Sequence, residues 1–300
     1  MVLVLVFVLG MYWWANSIFS GIERVEVSQV LSGPESGTNY LIVGSDSRDE
    51  LNPDSAGGTE DGGERSDTMM VLHFEGSEAL ITSVPRDLAV DLPFDSGECT
   101  TPAKINAAYN PACNGGPAQL IQTVSEGVGI PISRYMEVDF ASFAGLVDGL
   151  GGITICFDNP AFDTNSGLNI TQPGCQELNG EQGLAYVRSR HLVEVINGEE
   201  VSDPTGDIGR VERQQNFMRA VFSKLGDSRN PFSMMGTFSD VASGLRIDDQ
   251  MSLWNAAMLG WWMRGIDPEP VILPTVSSDL RGQSALAPGD GFDAAIARFN

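Results

Sequence analysis

The stretch YMEVDFASFAGLVDGLGGITICF, residues 135–157, indicates the fold class of this chain. Residues 135–138 read as a short strand, and the apolar residues within 140–150 then recur at helical spacing. Two glycines end that helix, and residues 153–157 form a second apolar strand. Strand and helix therefore alternate, which predicts a layered α/β domain.

Elements of the same kind precede this stretch, and charged residues lie beside them. Residues 40–43, 69–74 and 79–84 read as apolar strands, the last two joined by a tight turn. The charged pairs that flank these strands are Asp46 with Arg48, Arg65 with Asp67, and Arg86 with Asp87. Because residues at strand ends converge on one crevice in an open α/β sheet, we expect the three pairs to lie close together.

The segment at residues 186–215 concentrates positive charge in an acidic chain. The protein has 17 basic and 40 acidic residues, yet five arginines lie within residues 188–219. Arginine presents a planar fork of donors that matches phosphate, and it keeps its charge, so the cluster indicates a bound oxyanion. A helix predicted at residues 208–225 places Arg210 and Gln214 on one face.

The composition excludes several classes of protein. A net charge of −23 argues against nonspecific binding of nucleic acid over the whole surface, because such binding needs a basic footprint. Neither lysine follows a glycine-rich loop, which excludes a P-loop nucleotide hydrolase. A serine hydrolase is excluded as well, since the sequence has no Gly-x-Ser-x-Gly elbow. We expect no nucleic-acid partner.

The N-terminal region has the character of a membrane segment. Residues 2–19 carry no formal charge and are just long enough to cross a bilayer core. We predict a transmembrane anchor at residues 1–20, a stalk at 21–37 and one folded domain at 38–300. A cleaved signal peptide and a buried core helix are the alternatives for the first segment.

The four cysteines are Cys99, Cys113, Cys156 and Cys175, and none forms a Cys-x-x-Cys pair. A zinc site is therefore not expected, whereas an exported domain would allow disulfides. Four cysteines permit three connectivities. We favour Cys99 with Cys113 and Cys156 with Cys175, because each pair brackets a loop rich in Pro, Gly and Asn. Four buried free thiols are the alternative.

Six motifs follow one another in a specific order along the chain. They are RSDTMM (65–70), VPRD (84–87), KINAAY (104–109), LVDGLGGI (146–153), YVRSRH (186–191) and, after Asp207, GRVERQQ (209–215). Each motif alone is a weak signal. Together, in this order, they resemble the LytR-CpsA-Psr (LCP) family of bacterial cell-envelope proteins, over most of residues 39–225 and on towards residue 274.

The resemblance implies an extracytoplasmic enzyme, anchored in the cell membrane, with a central mixed β-sheet between helical layers and an apolar cavity for a lipid tail. Such an enzyme would move a glycopolymer from a polyprenyl-pyrophosphate carrier to peptidoglycan through a phosphodiester bond. By positional match, Asp46 and Asp67 would hold Mg²⁺ or Mn²⁺. The residues expected to bind the pyrophosphate are Arg65, Arg86, Lys104, Arg188, Arg190, Arg210 and Gln214.

Phosphoryl transfer needs neutralised charge, an aligned hydroxyl and a base for its proton. The residues expected to serve catalysis are Arg86, Arg188, Arg190, Arg210 and Asp207, with Asp207 or Asp87 as the base. The chain departs from the family pattern by an acidic, glycine-rich insertion between Asp46 and Asp67. It departs again by an extra segment at 192–204 and by Gly183, where the family usually has alanine.

Two other functions use the same residues. A pyrophosphohydrolase would cleave the lipid-linked diphosphate with water, and analysis of the products with and without a peptidoglycan acceptor separates it from a transferase. A non-catalytic envelope protein that binds anionic polymers or lipids would need the arginines but not the two carboxylates.

His73, within a strand, is expected to be structural, and the three tryptophans of residues 254–262 are expected to lie in the core.

Overall fold

The structure is a computed structural model that describes residues 2–45, 66–97, 99–204, 206–227, 242, 244–262 and 266–300 of the chain. The chain divides into two compact units, where we had expected one domain. The first unit comprises Met1–Ile22, Ala141–Gly244 and Ser252–Asp267, and the second comprises Glu23–Phe140, Leu245–Met251 and Pro268–Asn300. Each unit is therefore assembled from segments that are separated in sequence.

The described residues form the following elements. The strands are β1 (Glu23–Val25), β2 (Thr38–Ser45), β3 (Ser66–Glu75), β4 (Glu78–Ser83), β5 (Ala89–Val90), β6 (Ala103–Lys104), β7 (Arg134–Asp139), β8 (Ile153–Phe157), β9 (Ala161–Asp163), β10 (Leu168–Ile170), β11 (Gly174–Leu178), β12 (Val193–Ile196), β13 (Glu199–Ser202), β14 (Leu245–Asp248), β15 (Glu269–Pro270), β16 (Thr275–Leu280) and β17 (Gln283–Pro288). The helices are α1 (Val2–Gly21), α2 (Pro117–Gln122), α3 (Phe140–Gly149), α4 (Gly180–Arg188), α5 (Asp207–Asp227), α6 (Leu253–Trp262) and α7 (Phe292–Ile296). Short helical turns lie at Ile105–Tyr109, Pro111–Cys113, Thr123–Val128 and Ala297–Phe299.

The second unit is built around a seven-stranded sheet in the order β1-β14-β7-β2-β3-β4-β15. Strand β2 pairs parallel with β7 and antiparallel with β3, so the expected mixed sheet is confirmed. Leu41 and Val43, on one face of β2, have no exposed surface, and Tyr40, on the other face, is 3% exposed. A strand buried on both faces needs a nearly continuous apolar run, which is why residues 40–43 lack polar alternation.

The segment predicted to be a stalk contributes to this sheet. Strand β1 pairs parallel with β14, and Val27, just after β1, is only 1% exposed. The Asp249 carboxylate accepts hydrogen bonds from the backbone N–H groups of Val27 and Ser28, both at 3.1 Å. Residues 23–28 are thus held by backbone pairing, by burial and by a side-chain acceptor.

The C-terminal residues also belong to the second unit. The last strand of the sheet is β15 at Glu269–Pro270, and the β16–β17 hairpin that follows was not predicted. Phe299 is fully buried, and its carbonyl accepts a hydrogen bond from the Asn39 side-chain amide at 2.7 Å. His73 Nδ1 lies 2.6 Å from the other side-chain atom of that amide, Oδ1, which agrees with a structural role for His73.

The first unit has its core between α4, α5 and the strands β8 to β12. Phe217 is fully buried, and its ring centroid lies 5.3 Å from that of Phe143 and 6.3 Å from that of Tyr186. A Cβ atom added at Gly183 of α4 would lie 3.0 Å from the Phe217 ring. Glycine at this position therefore permits the close approach of α4 to Phe217 of α5.

Both predicted disulfides are present. Cys99 and Cys113 are bonded in the second unit, with Cα atoms 5.3 Å apart. In the first unit Cys156 and Cys175 are bonded and lie directly opposite each other on the antiparallel strands β8 and β11. None of the four cysteines is free.

The N-terminal segment is helical, as α1 covers Val2–Gly21. Within the part of the chain that the structure describes, no helix has both the length and the apolar character needed to cross a membrane. The membrane anchor stays a prediction.

Candidate functional site

The arginine-rich segment begins at the end of α4. Asn179 caps this helix by accepting a hydrogen bond from the Gln182 backbone N–H, and the Gln182 side chain accepts one from the Asn179 backbone N–H. This capping box fixes where the helix begins. The helix ends at Arg188, and Ser189 turns into an extended conformation with φ −62° and ψ 126°. We call residues 188–191 the arginine turn.

Asp163, the last residue of β9, holds the arginine turn from one side. Its Oδ2 atom accepts a hydrogen bond from the Ser189 hydroxyl at 2.7 Å. The same atom accepts the backbone N–H groups of Arg190 at 3.0 Å and His191 at 2.9 Å. Burial opposes ionisation of this carboxyl, but the donors, beginning with the His191 N–H, outweigh it and lower the pKa of Asp163 to about 2. The carboxylate is therefore ionised at neutral pH.

Helix α5 holds the same turn from the other side. Arg213 donates from Nη2 to the Ser189 carbonyl at 2.9 Å and from Nη1 to the Asp203 carboxylate, also at 2.9 Å. Gln214 donates to the Val187 carbonyl at 3.3 Å. These two carbonyls belong to the last turn and end of α4, where backbone acceptors lack partners inside the helix. Arg213 thus has a structural role, because it holds the Ser189 carbonyl and the Asp203 carboxylate.

The extra segment at 192–204 is a β-hairpin. Strands β12 and β13 pair antiparallel around Asn197 and Gly198, which both have positive φ, as such a two-residue turn requires. Strand β12 also pairs with β9, and the Asp203 N–H donates to the Leu192 carbonyl at 2.8 Å. The ends of the insertion therefore meet, and the arginine turn stays next to the start of α5.

A second charged cluster, which we call the Asp87 cluster, lies in the second unit and consists of Arg86, Asp87 and Lys104. The Asp87 carboxylate accepts hydrogen bonds from Lys104 Nζ at 2.8 Å and from Arg86 Nε at 3.4 Å. Burial raises the pKa of Asp87, but the hydrogen bond from Lys104 and the charge of Arg86 outweigh it, so the pKa lies below its usual value. Each of the three side chains keeps about a fifth to a quarter of its surface exposed.

Backbone pairing holds the Asp87 cluster together. The Ile105 N–H donates to the Leu88 carbonyl at 2.8 Å, which places Lys104 beside the turn that carries Arg86. The Leu286 N–H of β17 donates to the Asp87 carbonyl at 2.9 Å. The unpredicted C-terminal hairpin therefore supports one of the predicted charged pairs.

The motif that begins at Lys104 ends at Tyr109, which is anchored in the core. Its hydroxyl donates to Glu137 Oε1 at 2.7 Å, and the hydroxyl of Tyr135 donates to Glu137 Oε2 at 3.0 Å. Arg246 Nη1 lies 3.1 Å from that second oxygen. Burial raises the pKa of both tyrosines, so they donate as neutral phenols to a buried carboxylate.

In the sequence, the predicted metal ligand Asp46 directly follows β2, and Asp67 is the second residue of β3. Ser45 of β2 lies opposite Ser66 of β3, so the backbone brings the segment before Asp46 next to the segment that carries Asp67. Asp46 and Arg65 themselves lie outside the described residues, as does the side chain of Asp67. Among the side chains that the structure describes, no group of three or more His, Cys, Asp or Glu residues could hold a metal ion. The metal site at Asp46 and Asp67 stays a prediction.

The other predicted site residues divide between the two units. The first unit contains the exposed Arg188, the half-buried Arg190, the buried Arg210 and Gln214. Asp207 is the first residue of α5, and its side chain lies outside the described part of the chain. The second unit contains Arg86 and Lys104, brought together on Asp87.

Sequence reasoning missed two acidic residues that organise the arginine turn, Asp163 and Asp203. Asp163 lies 26 residues before its partner Ser189, and Asp203 lies 10 residues before Arg213. The available signal was weak, since each aspartate follows a short strand-like run and resembles an ordinary turn residue.

The chain belongs to the LytR_cpsA_psr family, because the model of that family matches residues 7–263. It is 35% identical over 271 residues to LcpB of Corynebacterium glutamicum, a probable cell wall biosynthesis protein, and the match covers 88% of this chain and 60% of LcpB. It is 28% identical to the polyisoprenyl-teichoic acid–peptidoglycan teichoic acid transferase TagU of Enterococcus faecalis, over 79% of this chain and 71% of TagU. The chain thus spans only part of the length of the curated relatives it matches.

The fold is also similar to solved structures. A LytR-Csp2A-Psr enzyme from Actinomyces oris superimposes with a TM-score of 0.72 at 26% sequence identity, covering 93% of this chain and 95% of that one. The α/β architecture with a mixed central sheet is therefore shared with a member of the family.

Proposed function

We propose that this protein transfers a glycopolymer from a polyprenyl-pyrophosphate carrier to peptidoglycan and forms a phosphodiester bond. The observation that carries the proposal is the arginine turn, in which two arginines flank a serine that is held through its hydroxyl by Asp163 and through its carbonyl by Arg213. Membership of the family, and the transferase activity named for the relative TagU, support it.

In the proposed reaction an acceptor sugar hydroxyl attacks the phosphorus atom attached to the glycan. The bond between that phosphorus and the bridging oxygen breaks, and polyprenyl phosphate leaves. Arg188, Arg190 and Arg210 would bind the diphosphate and neutralise the charge that develops on its oxygens. Arg65 and Gln214 would complete this set. Because the backbone of the arginine turn is already held, little reorganisation is needed when substrate binds.

The Asp87 cluster would contribute two further cations. Asp87 is ionised and accepts hydrogen bonds from both Arg86 and Lys104, so we assign it the task of holding these two side chains beside each other. A carboxylate with a lowered pKa and two cationic donors is a poor proton acceptor. We therefore favour Asp207 over Asp87 as the base that takes the proton of the acceptor hydroxyl.

Asp46 and Asp67 would hold Mg²⁺ or Mn²⁺, which supplies positive charge to the diphosphate oxygens. The register of β2 and β3 supports this pairing. If the proposal is right, Asp67→Asn abolishes transfer. A pure polymer-binding protein would keep its affinity after the same change.

We further propose that the chain is anchored in the cell membrane by residues 1–20, with residues 38–300 on the outer side. Two disulfides support an extracytoplasmic location, since disulfides persist in oxidising compartments. A lipid-linked donor and a peptidoglycan acceptor would both be available there.

The test uses the full chain with a synthetic polyprenyl-pyrophosphate oligosaccharide, Mg²⁺ and peptidoglycan fragments. We expect an acid-labile phosphodiester product that joins glycan to peptidoglycan, together with polyprenyl phosphate. Release of glycan phosphate at the same rate with and without the fragments would identify a pyrophosphohydrolase instead. If neither product forms, the enzymatic proposal fails.

A further inference from the structure

We infer that Asp163 is a positioning residue for catalysis, which fixes the backbone from which Arg188 and Arg190 project. The inference rests on the proposed function, because it assigns Asp163 a task only if the arginine turn binds the diphosphate. The sequence does not mark Asp163 as a candidate, because it resembles an ordinary aspartate at the end of a short strand.

The hydrogen bonds of Asp163 leave its carboxylate no capacity for a ligand. Oδ2 accepts three donors from the arginine turn, namely the Ser189 hydroxyl and the N–H groups of Arg190 and His191, within 2.7–3.0 Å. Oδ1 accepts the N–H groups of Asn165 and Ser166 at 2.9 and 3.4 Å. The residue is 1% exposed. Asp163 can therefore act only through the groups that it holds.

The opposite side of the turn is held by a cation. Arg213 donates to the Ser189 carbonyl, while Asp163 accepts from the Ser189 hydroxyl and from the next two N–H groups. The single residue between the two arginines is therefore fixed by a buried anion on one side and a buried cation on the other. Charge-assisted hydrogen bonds of this kind are about twice as strong as neutral ones.

This arrangement bears on how the two arginines are positioned. Arg188 and Arg190 lie two positions apart in the sequence, on either side of Ser189, and both are assigned to one diphosphate. A flexible turn would let them separate, and the substrate would then have to reassemble them. A displacement of about 1 Å in a positioning group can cost roughly 100-fold in rate. By holding the turn from both sides, Asp163 and Arg213 would keep the two arginines in place before the diphosphate binds.

The experiment compares Asp163→Asn with the unchanged chain in the transfer assay. Asparagine keeps the size of the side chain but places an amide NH₂ group or a neutral oxygen against three donors. We expect kcat to fall by about 10- to 100-fold with a smaller change in KM. Ser189→Ala removes one donor of the same network and is a milder variant, for which we expect an intermediate loss.

A matched control is available in Asp248→Asn. Asp248 has no exposed surface and accepts the Tyr135 N–H at 3.1 Å in the second unit, so its loss perturbs a comparable buried carboxylate that does not touch the arginine turn. We expect this variant to keep kcat within about two-fold when it is assayed well below its melting temperature.

A double-mutant cycle separates positioning from a general effect on folding. If Asp163 acts through Arg190, then Asp163→Asn lowers the affinity for farnesyl pyrophosphate in the unchanged chain but has little further effect in Arg190→Ala. Calorimetric binding of that ligand gives the four affinities without any need for turnover. Equal losses in both backgrounds, or unchanged kcat in Asp163→Asn and Ser189→Ala, would overturn the inference. Absence of transfer by the unchanged chain would instead refute the proposed function, and the binding cycle would still test Asp163.

Discussion

Replacement of Tyr109 by phenylalanine should destabilise the second unit, and the size of the effect follows from the surroundings of Glu137. Tyr109 is 1% exposed and its hydroxyl donates to a carboxylate oxygen at 2.7 Å, in a residue that is itself 2% exposed. Phenylalanine keeps the ring and so leaves no large cavity. What is lost is a hydrogen bond to a buried charge, which is worth about 1.5–3 kcal/mol.

Tyr135→Phe provides the matched comparison. Tyr135 is also fully buried and donates to the same carboxylate, but to the oxygen that Arg246 also contacts at 3.1 Å. That oxygen keeps a charged partner after the substitution, so we expect a smaller loss of about 0.5–1.5 kcal/mol. The difference between the two variants isolates the penalty for leaving one buried oxygen without its hydroxyl donor.

Urea denaturation followed by circular dichroism measures both changes. All five tryptophans lie in the segments of the first unit, so tryptophan fluorescence reports the first unit while circular dichroism reports both. We expect Tyr109→Phe to lower the dichroism midpoint more than Tyr135→Phe does. Equal shifts, or a loss below about 0.5 kcal/mol for Tyr109→Phe, would refute this account of the Glu137 network.

Three further predictions concern the first unit. Arg190→Ala should lower transfer by about 100- to 1,000-fold, whereas Arg219→Ala, which removes a surface ion pair with Asp267, should leave the transfer rate nearly unchanged. The pKa of Asp163 is about 2, against an ordinary value of 3.8. This lowering contributes about 2 kcal/mol to the free energy of unfolding, a contribution that is present above pH 4 and lost as the pH falls towards 2. The stability difference between the unchanged chain and Asp163→Asn, measured by urea denaturation, should therefore shrink over that pH range. Removal of the Cys156–Cys175 disulfide, which spans 19 residues, should lower the free energy of unfolding by about 3 kcal/mol, and an unchanged fluorescence midpoint would contradict this.

Most regular elements could be predicted because their signals are local. The strand predicted at 153–157 has those bounds in the structure, and the helix predicted at 208–225 is found at Asp207–Asp227. The β16–β17 hairpin could not be predicted in the same way. Both strands are largely exposed, so no alternating apolar pattern marks them, and the turn uses Arg281 and Gly282, where a strong signal would be Asn-Gly or Asp-Gly.

The candidate site was predictable only as far as residue type and motif allow. The arginines and the two cysteine pairs stand out in the sequence because they are unusual in this chain. Asp163 does not stand out, because this chain has many acidic residues. Its role depends on hydrogen-bond donors that lie 26 to 28 residues away in the sequence. The interaction exists only once β9 and the end of α4 have folded together, and no local pattern encodes it.

The C-terminal segment has a consequence for where this protein can be divided. The family model matches the chain as far as residue 263, yet Phe299 supplies a buried carbonyl to Asn39, and Leu286 supplies an N–H to the Asp87 carbonyl. A chain cut at residue 263 would leave those two polar groups without these partners and would remove a fully buried aromatic ring from the core of the second unit. A fragment that ends where the family model ends would therefore not contain the whole second unit.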